Sequence, residues 1–180
     1  MRITGGIFRS RVLRSIKSDN LRPATDRLRE TMFNILKGMV TIEGASVLDL
    51  YAGTGSVGIE ALSRGAARAV FVEADRKTVG IVKSNIADLN LASKAIVVNV
   101  KVERYLSNVE DNFDIIFVDP PYFLNRTTAD VVSLIFKRKL VKKGGIICIE
   151  HSKEYVPPVE FLIRQKKFGS TILSFLKEQS

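Results

Sequence analysis

The stretch that most restricts the fold is Ser46-Val47-Leu48-Asp49-Leu50-Tyr51, which runs directly into Ala52-Gly53-Thr54-Gly55-Ser56-Val57-Gly58. A short apolar run of strand length, broken by a glycine-rich turn and resumed as a helix over Val57 to Arg64 that stops at Gly65, opens a βαβ unit. The alternation then repeats. Ala69 to Glu73 reads as a second strand, Arg76 to Leu89 as a helix and Ala95 to Val100 as a third strand. A helical turn around Glu103 to Ser107 precedes a fourth strand, Phe113 to Val118, and a helix over Thr128 to Arg138 precedes a fifth, Gly145 to Glu150. Strands that alternate with helices predict a parallel, doubly wound α/β sheet. The tail differs: Val159 to Lys167, Gly169, then Ser170 to Leu176 reads as an antiparallel hairpin closing the sheet edge.

Upstream of this pattern, residues 1–20 form a basic arm and residues 21–180 the main domain. The arm is expected to be a short hairpin, with Arg2-Ile3-Thr4, a turn at Gly5-Gly6, and Ile7 to Leu13 as the return. It carries too little apolar surface to fold alone, so it must lie against the domain. A helix follows to about Lys37, capped by Thr25 with Asp26 at its positive end. Leu28, Met32, Ile35, Leu36 and Met39 recur along it at helical spacing, and Gly38 closes it.

Composition narrows the partner. The formal net charge is +9, and Arg2, Arg9, Arg11, Arg14, Lys17, Arg22, Arg27 and Arg29 crowd the amino-terminal end. A polyanion is the leading partner class, and solvated edge charge is the competing reading of the arm. No apolar run approaches the roughly 20 residues that span a bilayer, and the amino terminus has no long apolar stretch, so a cytoplasmic protein with no membrane association is expected. One histidine and one cysteine exclude a His/Cys zinc site, and no metal is expected. Cys148 lies within an apolar run as a structural thiol. His151, just past the fifth strand, reads as a solvated loop residue, with substrate contact as the other possibility.

Gly53-x-Gly55-x-x-Gly58 satisfies the dinucleotide-binding pattern, and Glu73 follows at the distance that suits ribose hydroxyls. A dehydrogenase is therefore a fair rival. Asp49, four residues before the first glycine, would repel a pyrophosphate but welcome an ammonium. S-adenosylmethionine carries an ammonium, a sulfonium and a ribose but no phosphate, and it is the cofactor expected. The set begins with Asp49, Tyr51, Ala52, Gly53, Thr54, Gly55, Glu73 and Ala74.

Asp119-Pro120-Pro121-Tyr122 follows the fourth strand, where open α/β sheets keep their ligands. Two prolines lack N–H donors and hold φ at about −65°, which stiffens the turn and leaves its carbonyls free to accept. The Asp119 carboxylate and a carbonyl can accept both hydrogens of a planar amine while Tyr122 stacks on its ring. The nitrogen lone pair is then turned outward, toward an electrophilic methyl group. An ordinary proline turn is the competing account.

Over nearly its whole length the sequence resembles the RsmD family of bacterial 16S rRNA guanine-N2 methyltransferases. The resemblance lies in Arg2-Ile3-Thr4-Gly5-Gly6 with Arg9 and Arg11, in Leu21 to Asn34, in Asp49 to Gly58 with Glu60-Ala61-Leu62-Ser63-Arg64, and in Asp119 to Tyr122. It implies a class I, Rossmann-like methyltransferase fold with a seven-stranded, mostly parallel sheet. The implied target is the guanine at position 966 of 16S rRNA, within the 30S subunit or an assembly intermediate. It implies that Thr25 and Asp26 close over the methionine end of the cofactor. Asp119 and the Pro120 carbonyl would bind the guanine amine beside Pro121, with Tyr122 on the flipped-out base. The arm, with Arg2, Arg9, Arg11, Arg22 and Arg27, would grip RNA together with Tyr122 and Phe123. One position departs from the family: Lys101-Val102 stands where a small polar or acidic residue and an alanine usually flank the adenine, and lysine cannot accept the adenine amine's hydrogens. An adenine-N6 methyltransferase and a non-catalytic RNA-binding assembly factor share most of these features. A monomer is expected.

Overall fold

The computed structural model describes residues 1–15, 23–121 and 125–178, with the side chains of 23–25 and 125–126 excepted. Helix α1 (Pro23–Leu36) precedes β1 (Ser46–Leu50), α2 (Ser56–Ser63), β2 (Arg68–Glu73), α3 (Arg76–Asp88) and β3 (Ala95–Asn99). Then come α4 (Val102–Asn108), β4 (Phe113–Val118), α5 (Asn125–Lys137), β5 (Val141–Ser152), β6 (Leu162–Phe168) and β7 (Thr171–Leu176). The described strands form one seven-stranded sheet ordered β3-β2-β1-β4-β5-β7-β6. β1 to β5 run parallel, and β7 and β6 pair antiparallel beyond β5, so the tail hairpin does close that edge.

Alternation along the strands splits the core in two. Val47, Phe71, Ile115, Phe117, Ile146 and Cys148 face one layer with residues of α1, α2 and α3, while Leu48, Val72, Ile116, Val118, Ile147 and Ile149 face the layer of α4 and α5. Both sheet faces are covered, which is why the strands read as nearly unbroken apolar runs. Among the described residues no helix is long and apolar enough to cross a membrane.

Several expectations need correction. Thr25 is the third residue of α1 and not its cap, because Pro23 starts the helix; a proline's fixed φ and missing N–H suit the first turn. The fifth strand begins at Val141, four residues earlier than its apolar run, since a register shift between Phe113 and Ile115 accommodates Lys142 to Gly144. His151 lies inside β5, buried, with Nδ1 at 2.6 Å from the Ser152 carbonyl and Nε2 at 2.7 Å from Ser174 Oγ. Facing a carbonyl, Nδ1 carries the proton and donates, and Nε2 accepts from the Ser174 hydroxyl. The ring is a structural link between β5 and β7, and burial lowers its pKa.

Among the described residues the arm folds as a loose hairpin bridged at Arg2 and Val12, and its reversal runs from the Gly5-Gly6 bend through residues 7–10. The glycine pair serves a close approach to the end of α2. A Cβ on Gly6 would lie 1.8 Å from the Ser63 carbonyl oxygen. The N–H of Ile7 donates to that carbonyl at 2.8 Å, and the Ser63 hydroxyl donates to the Gly5 carbonyl at 2.6 Å. The arm thus satisfies a backbone acceptor that a helix end leaves open. Glu60 completes the clamp: fully buried, it accepts from Thr4 N–H at 2.8 Å, Thr4 Oγ1 at 2.7 Å, Arg29 Nε at 3.2 Å and Arg64 Nε at 2.8 Å.

Candidate active site

The carboxyl ends of β1, β2, β3 and β4 bring most of the expected residues to one edge of the sheet. After β1 the backbone turns through Tyr51 (φ 60°), Gly53 (φ 55°) and Gly55 (φ 79°), and Gly55 is the N-cap of α2. Gly58 must be glycine for packing: a Cβ there would stand 2.3 Å from the Phe71 ring. Its N–H donates to Asp49 Oδ2 at 2.9 Å, so the acid at the end of β1 holds the first turn of α2 in place. Burial, weakened by that bond and reinforced by the charge of Glu73, raises the Asp49 pKa to about 7.

Glu73, at the tip of β2, accepts from Gly53 N–H at 2.9 Å and Asp75 N–H at 2.8 Å, which fixes the glycine loop against the neighbouring strand end. Thr54 gives its carbonyl to Asn85 Nδ2 at 3.0 Å, and Asn85 also binds the arm at Arg14, accepting from N–H at 2.8 Å and donating to the carbonyl at 3.1 Å. Arm and glycine loop therefore share one buried amide. A cleft of about 350 Å³ opens between these ends, lined by Tyr51, Val72, Glu73, Ala74, Lys101, Val102, Glu103 and Thr127. Lys101 and Val102 thus line the same cleft as Glu73. Glu103 and Thr127 were missed; Glu103 carried a signal, as an acid in the first turn of α4, and Thr127 none.

Asp119 follows β4, with Pro120 buried and Pro121 exposed. Desolvation among the strand ends and repulsion from Glu150 and Asp49 hold its carboxyl well above the usual range. The residue keeps an exposed edge, and the fields of the two neighbouring carboxylates act on it there. The Cys148 thiol is likewise pushed up by burial and by Glu150 and Asp119.

Other expected residues stand apart. Asp26 accepts from Arg2 N–H at 3.2 Å and from Arg29 Nη2 at 2.9 Å. Arg29 Nη2 also donates to the Arg2 carbonyl. Ala52 is buried behind the loop, and Arg2, Arg9, Arg11 and Arg27 are exposed. Arg22, Tyr122 and Phe123 and the Thr25 side chain lie outside the described residues.

A parallel sheet reversing between β1 and β4, extended by an inserted antiparallel β7, is the class I methyltransferase fold. The family model described as "Conserved hypothetical protein 95" matches residues 1–177, and the chain belongs to that family, the RsmD family of the sequence resemblance. A relative from Escherichia coli K12, called ribosomal RNA small subunit methyltransferase D, is 43% identical over 94% of this chain and 85% of its own. The Bacillus subtilis protein YlbH is 34% identical over 99% of this chain and all of its own. The solved structure of the Escherichia coli protein yhhF matches with a TM-score of 0.84 at 33% identity, covering 99% of both chains.

Proposed function

We propose that this chain transfers a methyl group from S-adenosylmethionine to the exocyclic N2 amine of a guanine, of the position 966 type, in 16S rRNA. The coarser statement, an S-adenosylmethionine-dependent methyltransferase of ribosomal RNA, follows from membership of the family. What supports an exocyclic amine as the acceptor is the meeting of an acid-flanked glycine loop, Asp49 and Glu73 about Gly53 to Gly58, with Asp119-Pro120 at the end of the adjoining strand, and what favours guanine over adenine is the resemblance of Arg2 to Gly6 and Leu21 to Asn34 to the RsmD family.

The residues present fit the cofactor. Two carboxylates beside the loop suit an ammonium, a sulfonium and a ribose diol and would repel a pyrophosphate, which removes support from a nicotinamide enzyme. The Tyr51 hydroxyl is buried on the cleft with no hydrogen-bond partner among the described residues, a donor waiting for an acceptor. When bound, the cofactor supplies an electrophilic methyl on a sulfonium that needs no further activation. The protein's own work is positioning. Asp119 and the Pro120 carbonyl accept the two amine hydrogens and aim the nitrogen lone pair, and the family resemblance assigns Tyr122 to the face of the base. Methylation leaves a positive charge on the amine, which is lost as a proton. Asp119, with its pKa raised by its neighbours, is a better acceptor for that proton than an ordinary carboxylate.

The basic segment 1–20 then serves as the RNA grip of a catalytic domain over 21–180, acting as a monomer in the cytoplasm on 30S particles or their precursors. Nucleoside mass spectrometry tests the whole reading. Small-subunit particles lacking the modification are incubated with the protein and S-adenosylmethionine. N2-methylguanosine is expected. N6-methyladenosine would keep the chemistry and refute the base, and transfer to neither particles nor their precursors would refute the substrate.

A further inference from the structure

The walls of the 350 Å³ cleft differ in chemistry. Val72, Ala74, Val102 and the ring of Tyr51 make it apolar, as a flat heterocycle requires, while each Glu73 oxygen accepts one backbone N–H, from Gly53 or Asp75. Val102 is buried in the core, which anchors the start of α4 and leaves Lys101 and Glu103 on either side of it, both exposed and both on the cleft. Among the described residues neither forms an ion pair.

Resting on the methyltransferase reading, we propose that Glu103 and Lys101 read the edge of the cofactor's adenine, Glu103 accepting from the exocyclic amine and Lys101 donating to the adjacent ring nitrogen. Lysine offers only donors and an ionised glutamate only acceptors. The adenine edge presents one donor group beside one acceptor, the complement of that pair. The hypoxanthine edge presents a carbonyl beside an N–H, the reverse order, so each side chain would meet a group of its own kind. The position of Glu103 agrees: burial and, after it, the charge of Glu103 raise the pKa of Tyr51, which lines the same cleft.

Calorimetric affinities of S-adenosylhomocysteine and its 6-oxo analogue S-inosylhomocysteine test this without turnover. The unmodified protein is expected to prefer the adenine compound by about 10- to 100-fold, as a charged hydrogen bond predicts. Glu103→Gln, whose amide can accept or donate, should bring the ratio to within about threefold, and Lys101→Met should lower it in part. An unchanged ratio in Glu103→Gln overturns the inference while leaving the methyltransferase reading intact. Failure of both compounds to bind the unmodified protein overturns that reading, and this inference with it.

Discussion

Arg29 of α1 and Glu60 of α2 meet at 3.2 Å with side-chain exposures of 4% and 0%. The pair is the hub through which the arm, α1 and α2 are held together, since Glu60 also accepts from both donors of Thr4 and from the guanidinium of Arg64. Removing Glu60 takes the partner from Arg29 Nε and leaves that buried guanidinium with Asp26 as its one carboxylate among the described residues, at a cost of about 3 kcal/mol. Glu60→Ala should therefore lower the urea midpoint and reduce the melting temperature by roughly 10 °C. Proteolysis within residues 1–15 should accelerate in step. A stable variant with a protected arm would show that the hub is dispensable.

Asp49 should make cofactor binding pH-dependent. Its folded pKa of about 7 exceeds the ordinary 3.8, so the folded protein binds the proton more tightly than the unfolded chain. Its contribution to stability is therefore present at low pH and is lost as pH rises from about 4 to 7. A cationic ligand favours the ionised form, so binding below pH 7 releases a proton. Affinity for S-adenosylhomocysteine should rise by up to about tenfold per pH unit toward neutrality and then level off. Calorimetry in buffers of different ionisation enthalpy measures the released proton, and Asp49→Asn should abolish the dependence. A flat profile in the unmodified protein would take Asp49 away from the ligand.

The glycine loop and the acids flanking it were legible because the strand, turn and helix signals are local: the backbone at Gly53 and Gly55 adopts positive φ, and Gly58 packs on Phe71. At Gly5-Gly6 the same locality showed the turn but not the close packing, because the partner is Ser63, some 57 residues away in sequence and unseen by any periodicity. His151 was misplaced for a related reason. A polar residue at the end of an apolar run looks like the strand's exit, but Ser174 on β7 supplies the partner that lets it stay buried. Glu60 sits on a helix where a charge suggests a wet face, yet its partners come from Thr4 and Arg29.

Asp119 should separate turnover from folding. Asp119→Asn keeps the shape and one acceptor oxygen but removes a charge that Glu150 and Asp49 repel. Turnover should drop by a factor on the order of 10² or more, because an acceptor for charge developing on the amine is lost. S-adenosylhomocysteine affinity should hold to within about threefold, and the melting temperature at pH 8 should not fall, since repulsion among the carboxylates is relieved. Unaltered turnover would remove Asp119 from the mechanism, and a lower melting temperature would mean that the carboxylate is structural.

Arg9 and Arg11 put the RNA assignment to a quantitative test. Both are exposed on a hairpin that Glu60, Ser63 and Asn85 fasten to the domain, so their backbone is already ordered before any RNA arrives. A fixed cation contributes to polyanion binding by displacing condensed counterions, about 0.7 to 0.9 per phosphate contact. Replacing both by alanine should thus reduce the slope of log affinity against log salt by roughly 1.5 and weaken binding most at low salt. The melting temperature should stay within about 2 °C, because neither residue makes an ion pair among the described residues. If affinity and slope both persist, the charge on the hairpin is solvated edge charge, and the RNA must be held elsewhere on the basic surface.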